Sequence, residues 1–92
     1  MERLTKKTND VYYALCDDLK SDGKIYIGKV IDKLAKFENF YEGLIQKYSE
    51  IEREMEKLRA EGKTSTVKFK QLLANKLEIN NIITILKYNG LQ

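Results

Sequence analysis

Four lysines, Lys63, Lys68, Lys70 and Lys76, lie close together, with Gln71 and Asn75 among them. Cationic and amide side chains at this density suit phosphate contact, so a nucleic-acid backbone is the first chemistry they suggest. A solvated helix face has the same composition, and the modest charge of the chain makes that the weightier reading. A helix-turn-helix would place "FKQLLANKL" first and "IITILKYNG" as the reader. That reader offers Thr84, Lys87 and Asn89 amid four branched aliphatics, too few polar groups to read base edges. Cys16 is the only thiol and the chain has no His. Imidazole acid–base catalysis and His-ligated zinc are therefore excluded, and Cys16 has no His to activate it and is expected to be buried. Asp17, Asp18 and Asp22 in "DDLKSDG" lack the alternating acids and terminal Glu of a calcium loop and read as a solvated turn. Tyr41 and Tyr48 suit packing better than ligand contact. For Tyr12, Tyr13 and Tyr26, stacking and packing both stand. No nucleophile–base pair, phosphate-binding Gly loop or metal cluster can be assembled, so a non-enzyme without cofactor is expected.

The elements behind these residues are read from apolar spacing. With Ile27 as position a of a heptad, a positions are Ile27, Leu34, Tyr41, Tyr48 and Met55. The d positions are Val30, Phe37, Leu44, Ile51 and Leu58. All are apolar, which predicts one long helix over residues 29–61 with a coiled-coil-like seam. Ile31, Phe40 and Ile45 widen the stripe in the first half, as packing against more than one helix requires. Glu50/Arg53, Glu54/Lys57 and Glu56/Arg59 are spaced for side-chain pairing in the second half. "AEGKTST" ends the helix: Gly62 suits the left-handed position after its last turn, and Ser65 or Thr66 can cap the next helix. A turn this short predicts an antiparallel return helix over 66–89.

The return segment has two apolar faces. Phe69, Leu72, Leu73 and Leu77 cluster on one, and Ile79, Ile82, Ile83 and Leu86 on another about 125° away at 100° per residue. Either the helix breaks near Asn80–Asn81 or one continuous helix is surrounded by partners. At its end, Gly90 and Leu91 fit a Schellman stop, with Leu91 against Leu86. Residues 1–28 admit a short helix capped by Asn9 or Asp10 and stopped at Gly23, with Tyr12, Leu15, Cys16 and Leu19 on its apolar side. The rival is a hairpin pairing "VYYAL" with "KIYIG" about Asp22-Gly23. The helix is the preferred reading, which makes the whole chain an all-α, single small helical domain.

The chain has 92 residues and a formal charge of +3. The imbalance is local: residues 62–92 hold five Lys against one acid, Glu78. This permits an anionic partner without requiring one. A single Cys suits a reducing compartment. The charged opening "ERLTKKTND" does not resemble a secretory signal, and apolar runs are too short to span a membrane.

Three segments, "MERLTK", "KLAKFE" and "AEGKTSTVKFKQLLANKL…ILKYNGL", together resemble a loose group of small uncharacterised proteins common in prophages of Firmicutes. In that group the opening is often followed by a segment like "RLAxYEDTG". Here Asn39-Phe40-Tyr41 stands where that pattern has "DTG". The resemblance implies a mobile-element origin and a soluble protein of the bacterial host cytoplasm, and it carries no catalytic motif.

A return helix of this length cannot cover the whole seam. Either residues 1–23 or a second copy must cover the rest, and Ile27, Val30, Ile31, Leu34, Phe37, Phe40 and Tyr41 are accordingly the expected oligomer or partner interface, in a homodimer or higher assembly. The leading functional expectation is a non-catalytic interaction protein that inhibits a host defence protein. A nucleic-acid-binding regulator using Lys63, Lys68, Lys70 and Lys76 is the second. An oligomeric sponge for a signalling nucleotide is the third.

Overall fold

The computed structural model describes all 92 residues, which divide into an N-terminal unit, Met1–Asn39, and a C-terminal unit, Phe40–Gln92. Two helices dominate: α1, Lys29–Ala60, of 32 residues, and α2, Val67–Tyr88, of 22 residues. The first turns of α1 belong to the N-terminal unit and the remainder to the C-terminal unit. The all-α expectation is corrected at residues 5–27, which form two small antiparallel hairpins. The chain is mostly helical with β structure at its N-terminal end. Strands β1, Thr5–Thr8, and β2, Val11–Ala14, make the first hairpin. Strands β3, Lys20–Ser21, and β4, Tyr26–Ile27, make the second.

Local chemistry explains why the expected short helix, capped by Asn9 or Asp10 and stopped at Gly23, does not form. Asn9 and Asp10 both have positive φ, 50° and 66°. They are the two central residues of a tight turn whose twist matches the flanking strands, and Asn and Asp tolerate that region better than most residues. Thr8 then pairs with Val11, Lys7 with Tyr12 and Lys6 with Tyr13. Val and Tyr suit a half-exposed pleated surface. The alternative hairpin is corrected too. Asp22-Gly23 does turn the chain, but it joins Ser21 to Tyr26 rather than "VYYAL" to "KIYIG". Cys16 was expected to be buried; it is exposed, because Cys16–Asp18 is a single 3-10 turn between hairpins and not part of an apolar helix face.

The Asp22 carboxylate organises the second hairpin. Its Oδ1 accepts the backbone N–H groups of Lys24 at 2.9 Å and Ile25 at 3.0 Å. Those bonds, with Ile25 first and Lys24 next, hold the Asp22 carboxyl below the usual carboxylate range. A lowered folded-state value means that the turn's stabilisation is complete above the unfolded pKa, near 3.9, and is lost as pH falls through the folded value. The Lys24 and Ile25 amide proton shifts are therefore expected to stay constant from neutral pH to about pH 4 and to move together below it. Movement centred at or above the ordinary Asp value contradicts this account.

In the C-terminal unit the helices run antiparallel, as Lys76 beside Glu52 and Phe69 beside Arg59 require. The turn between them is a Schellman stop. Lys63 N–H donates to Leu58 O at 2.8 Å and Gly62 N–H to Arg59 O at 3.0 Å, with Gly62 at φ 71°. Thr66 caps α2, its Oγ1 accepting the Phe69 N–H at 3.2 Å. At the far end Leu91 N–H donates to Leu86 O and Gly90 N–H to Lys87 O, the same stop. α2 is continuous through Asn80–Asn81, so the broken-helix alternative does not hold.

Only Ile51, Met55, Phe69 and Ile79 are buried, and all four lie in the C-terminal unit. Leu44, Tyr48, Leu58, Leu72 and Ile83 pack around them, partly exposed. This core sits where α2 lies along the later turns of α1. No helix of the chain is long and apolar enough to cross a membrane.

Candidate interaction surfaces

The Lys quartet does not form one cationic face. Lys63 Nζ lies 3.1 Å from Glu61 and Lys76 Nζ 3.3 Å from Glu52. Lys76 is also 5.5 Å from the centre of the Tyr48 ring, which places it inside the seam between the helices rather than on an outer face. The i, i+3, i+7 spacing explains this. Phe69, Leu72, Lys76, Ile79, Ile83 and Leu86 form one heptad-like row on α2, and Lys76 takes an apolar position in it. Its stem covers apolar surface while the ammonium reaches Glu52. Lys68 and Lys70 have no ion-pair partner, but at 100° per residue they point about 160° apart. Near the turn between the helices a cleft of about 540 Å³ is lined by Lys57, Lys63 and Lys68, but also by Glu54 and Glu61. Alternating signs of this kind do not build a strong field for an anion.

Of the other polar candidates, Glu56 and Arg59 close to 3.0 Å, alone among the three pairs expected on α1. Tyr12 is exposed and flanked by Arg3 and Lys7, 5.7 and 5.5 Å from its ring centre. No group of three or more Cys, Asp or Glu is placed to hold a metal ion.

The apolar candidates fall in both units, so each group stands by itself. In the N-terminal unit Ile27 and Leu34 are 59% and 52% exposed, while Val30, Ile31 and Phe37 are half-buried. No residue of this unit is buried, and Val11, Leu15, Ile25 and Tyr26 are also exposed. In the C-terminal unit Phe40 is exposed and Tyr41 half-buried.

Sequence reasoning did not single out the outer face of α2. Leu73, Leu77, Ile85 and Tyr88 are all exposed there, and Val67 stands at its start. Neither apolar cluster read from periodicity coincides with it, because members of both clusters, Phe69 and Leu72 from one and Ile79 and Ile83 from the other, meet α1. Leu73 and Leu77 were grouped with Phe69 and Leu72, from which the structure separates them. Compared with protein-family models, curated proteins and solved structures, the chain matches none.

Proposed function

We propose that this chain is a non-catalytic interaction protein of a mobile element, which binds a host protein and blocks it. The supporting observation is the apolar surface of the N-terminal unit, where Ile27 and Leu34 stand more than half exposed beside the half-buried Val30, Ile31 and Phe37. Each side chain of this kind loses about 1.5–3 kcal/mol when left in water rather than fully buried. Val30, Ile31, Leu34 and Phe37 on the first turns of α1, with Ile27 at the end of β4 and Lys29, Asp32 and Lys33 beside them, have the makeup of a protein-binding patch. The resemblance to prophage proteins supplies the biological setting, and a defence protein of the bacterial host is the target class this reading favours. The regulator reading ranks lower, because two of its four lysines are engaged by glutamates.

The test is capture from a Firmicutes lysate on the immobilised chain, with and without nuclease, alongside a variant carrying Ile27→Glu and Leu34→Glu. The expected result is a nuclease-resistant protein retained by the wild type and lost with the variant, whose helical circular dichroism is unchanged. Material that disappears on nuclease treatment would move the regulator reading to first place. Equal retention by the variant would remove this surface from the argument.

A further inference from the structure

α2 is apolar around nearly its whole circumference. Phe69, Leu72, Ile79 and Ile83 serve the core with α1. Val67, Leu73, Leu77, Ile85 and Tyr88 remain 82%, 40%, 59%, 54% and 89% exposed. At 100° per residue this second set fills a sector of about 120°, centred roughly opposite the first. A surface helix of a globular protein has one apolar stripe, and a helix with two is covered on both sides. Between these exposed side chains lie Ala74, Asn81 and Thr84, and Lys70 falls in line with Tyr88 near the N-terminal end of the stripe. Thr84 Oγ1 donates to Asn80 O at 2.8 Å, so its hydroxyl is already satisfied within the helix.

The surface area measures what is missing. The chain exposes 7682 Å². A folded monomer of 10.8 kDa has about 5,500 Å², and two separate bodies of half that mass together about 6,700 Å². Even against the larger figure the surplus is about 1,000 Å², while each partner in an interface of ordinary size loses about 800 Å². The surplus is of the size one further contact buries, and it is shared by the exposed apolar side chains of the N-terminal unit and the outer face of α2.

The chemistry of the stripe fits a copy of itself. Its centre, Leu73, Ala74, Leu77, Asn81 and Thr84, carries no charge, so self-contact opposes no like charges there. Lys70 lies within the stripe toward its N-terminal end, and Lys87 stands beside its C-terminal end. An antiparallel pairing keeps each lysine away from its own counterpart and opposes the helix dipoles. The composition is that of a homodimer core, more apolar than a transient interface.

We propose that the outer face of α2, centred on Leu77, docks antiparallel on the same face of a second copy, giving a two-fold dimer in which the two α2 helices meet at the centre, each backed by the α1 turns of its own C-terminal unit. This contact is separate from the host-protein surface on the N-terminal unit, and the two are tested by different variants. Sedimentation of the full chain at micromolar concentration is expected to give twice 10.8 kDa. Leu77→Glu is expected to weaken the dimer about 100-fold or more, because it buries two unpaired carboxylates. Its helical circular dichroism is expected to persist, since Leu77 lies outside the core cluster. Ile27→Glu with Leu34→Glu leaves the dimer mass unchanged. Orientation is read by disulfide trapping in a Cys16→Ser background. Leu77→Cys cross-links to itself, whereas Val67→Cys and Tyr88→Cys cross-link only when the two variants are mixed. A monomeric wild type, a dimer that survives Leu77→Glu, or failure of Leu77→Cys to cross-link overturns the proposal, and self-linking of Val67→Cys overturns its antiparallel sense.

Discussion

Met55→Ala is expected to be among the most destabilising single truncations in the C-terminal unit. Met55 is 1% exposed and is the most completely buried side chain. Replacing a buried Met, Leu or Ile by Ala costs about 2–5 kcal/mol, partly in lost transfer energy and partly in the cavity left behind. Two features of this unit fix where in that range the value falls. The core has only four buried members, so Met55 contributes a large share of it. Against this, Leu44, Tyr48, Leu58, Leu72 and Ile83 are only partly buried, and a pair of helices can draw together over a void. The expectation is therefore toward the lower end, with a fall of roughly 10 °C in Tm. Ile45→Ala supplies the comparison. Ile45 lies on the same helix but is 42% exposed, and its truncation removes less buried surface and opens no closed cavity. The two are compared by denaturant unfolding followed at 222 nm, at a fixed chain concentration. A Met55→Ala loss no larger than that of Ile45→Ala contradicts the placement of the core.

That core marks the boundary of what the sequence could tell. The long helix was legible because its apolar residues keep an unbroken 3–4 spacing from Ile27 to Leu58 and because Gly62 punctuates it. Its end at Ala60 and the Thr66 cap follow from those signals. Which part of the seam would be buried was not legible. Burial is supplied by the packing partner: within the C-terminal unit α2 buries Ile51 and Met55 of the seam, and Leu44, Tyr48 and Leu58 only in part. On α2 the two apolar clusters read from periodicity were each split. Phe69 and Leu72 from one and Ile79 and Ile83 from the other meet α1, with Lys76 between them. A lysine in a seam hides the row from any count of apolar residues. It is tolerated here because Glu52 and the Tyr48 ring receive its ammonium.

The hairpins were hidden for a different reason. Asn9-Asp10 is as good a helix cap as it is a turn, and only the pairing of Lys6 and Lys7 with Tyr13 and Tyr12 decides between them. Such cross-strand contacts join residues on either side of the ambiguous pair, so a local window on either flank misses them. The lysines of β1 also explain why this short hairpin reads as solvated. Lys7 lies over the Tyr12 ring, and both lysines keep charge on the strand, a common guard against unwanted strand pairing.

Gly28→Ala is expected to disrupt the N-terminal unit while sparing the C-terminal one. Gly28 joins β4 to α1 at φ 130°, a conformation that residues with a Cβ rarely adopt. Its carbonyl accepts the Asp32 N–H at 3.0 Å, the first bond of the helix. A Cβ at this position would meet Asp18 O at 2.6 Å and Asp18 C at 2.9 Å. Both are backbone atoms of the 3-10 turn, so no side-chain rotation relieves the contact. Forcing an L-residue into such a region costs on the order of 1–3 kcal/mol, and the displaced turn adds to that. The loss is severe for a unit without one buried residue, where close backbone packing does what a core does elsewhere. Gly23→Ala separates the two causes: Gly23 also has positive φ, 96°, but nothing lies within 4 Å of its would-be Cβ. It is expected to show the backbone strain alone. Amide spectra provide the readout. In Gly28→Ala the resonances of Lys20, Ser21, Tyr26 and Ile27 are expected to shift or broaden, with those of α2 unchanged; in Gly23→Ala the changes stay within the Asp22–Ile25 turn. Spectra of Gly28→Ala that superimpose on the wild type would show that α1 does not start against the Asp18 backbone, and the contact between the turn and the helix start would have to be redrawn.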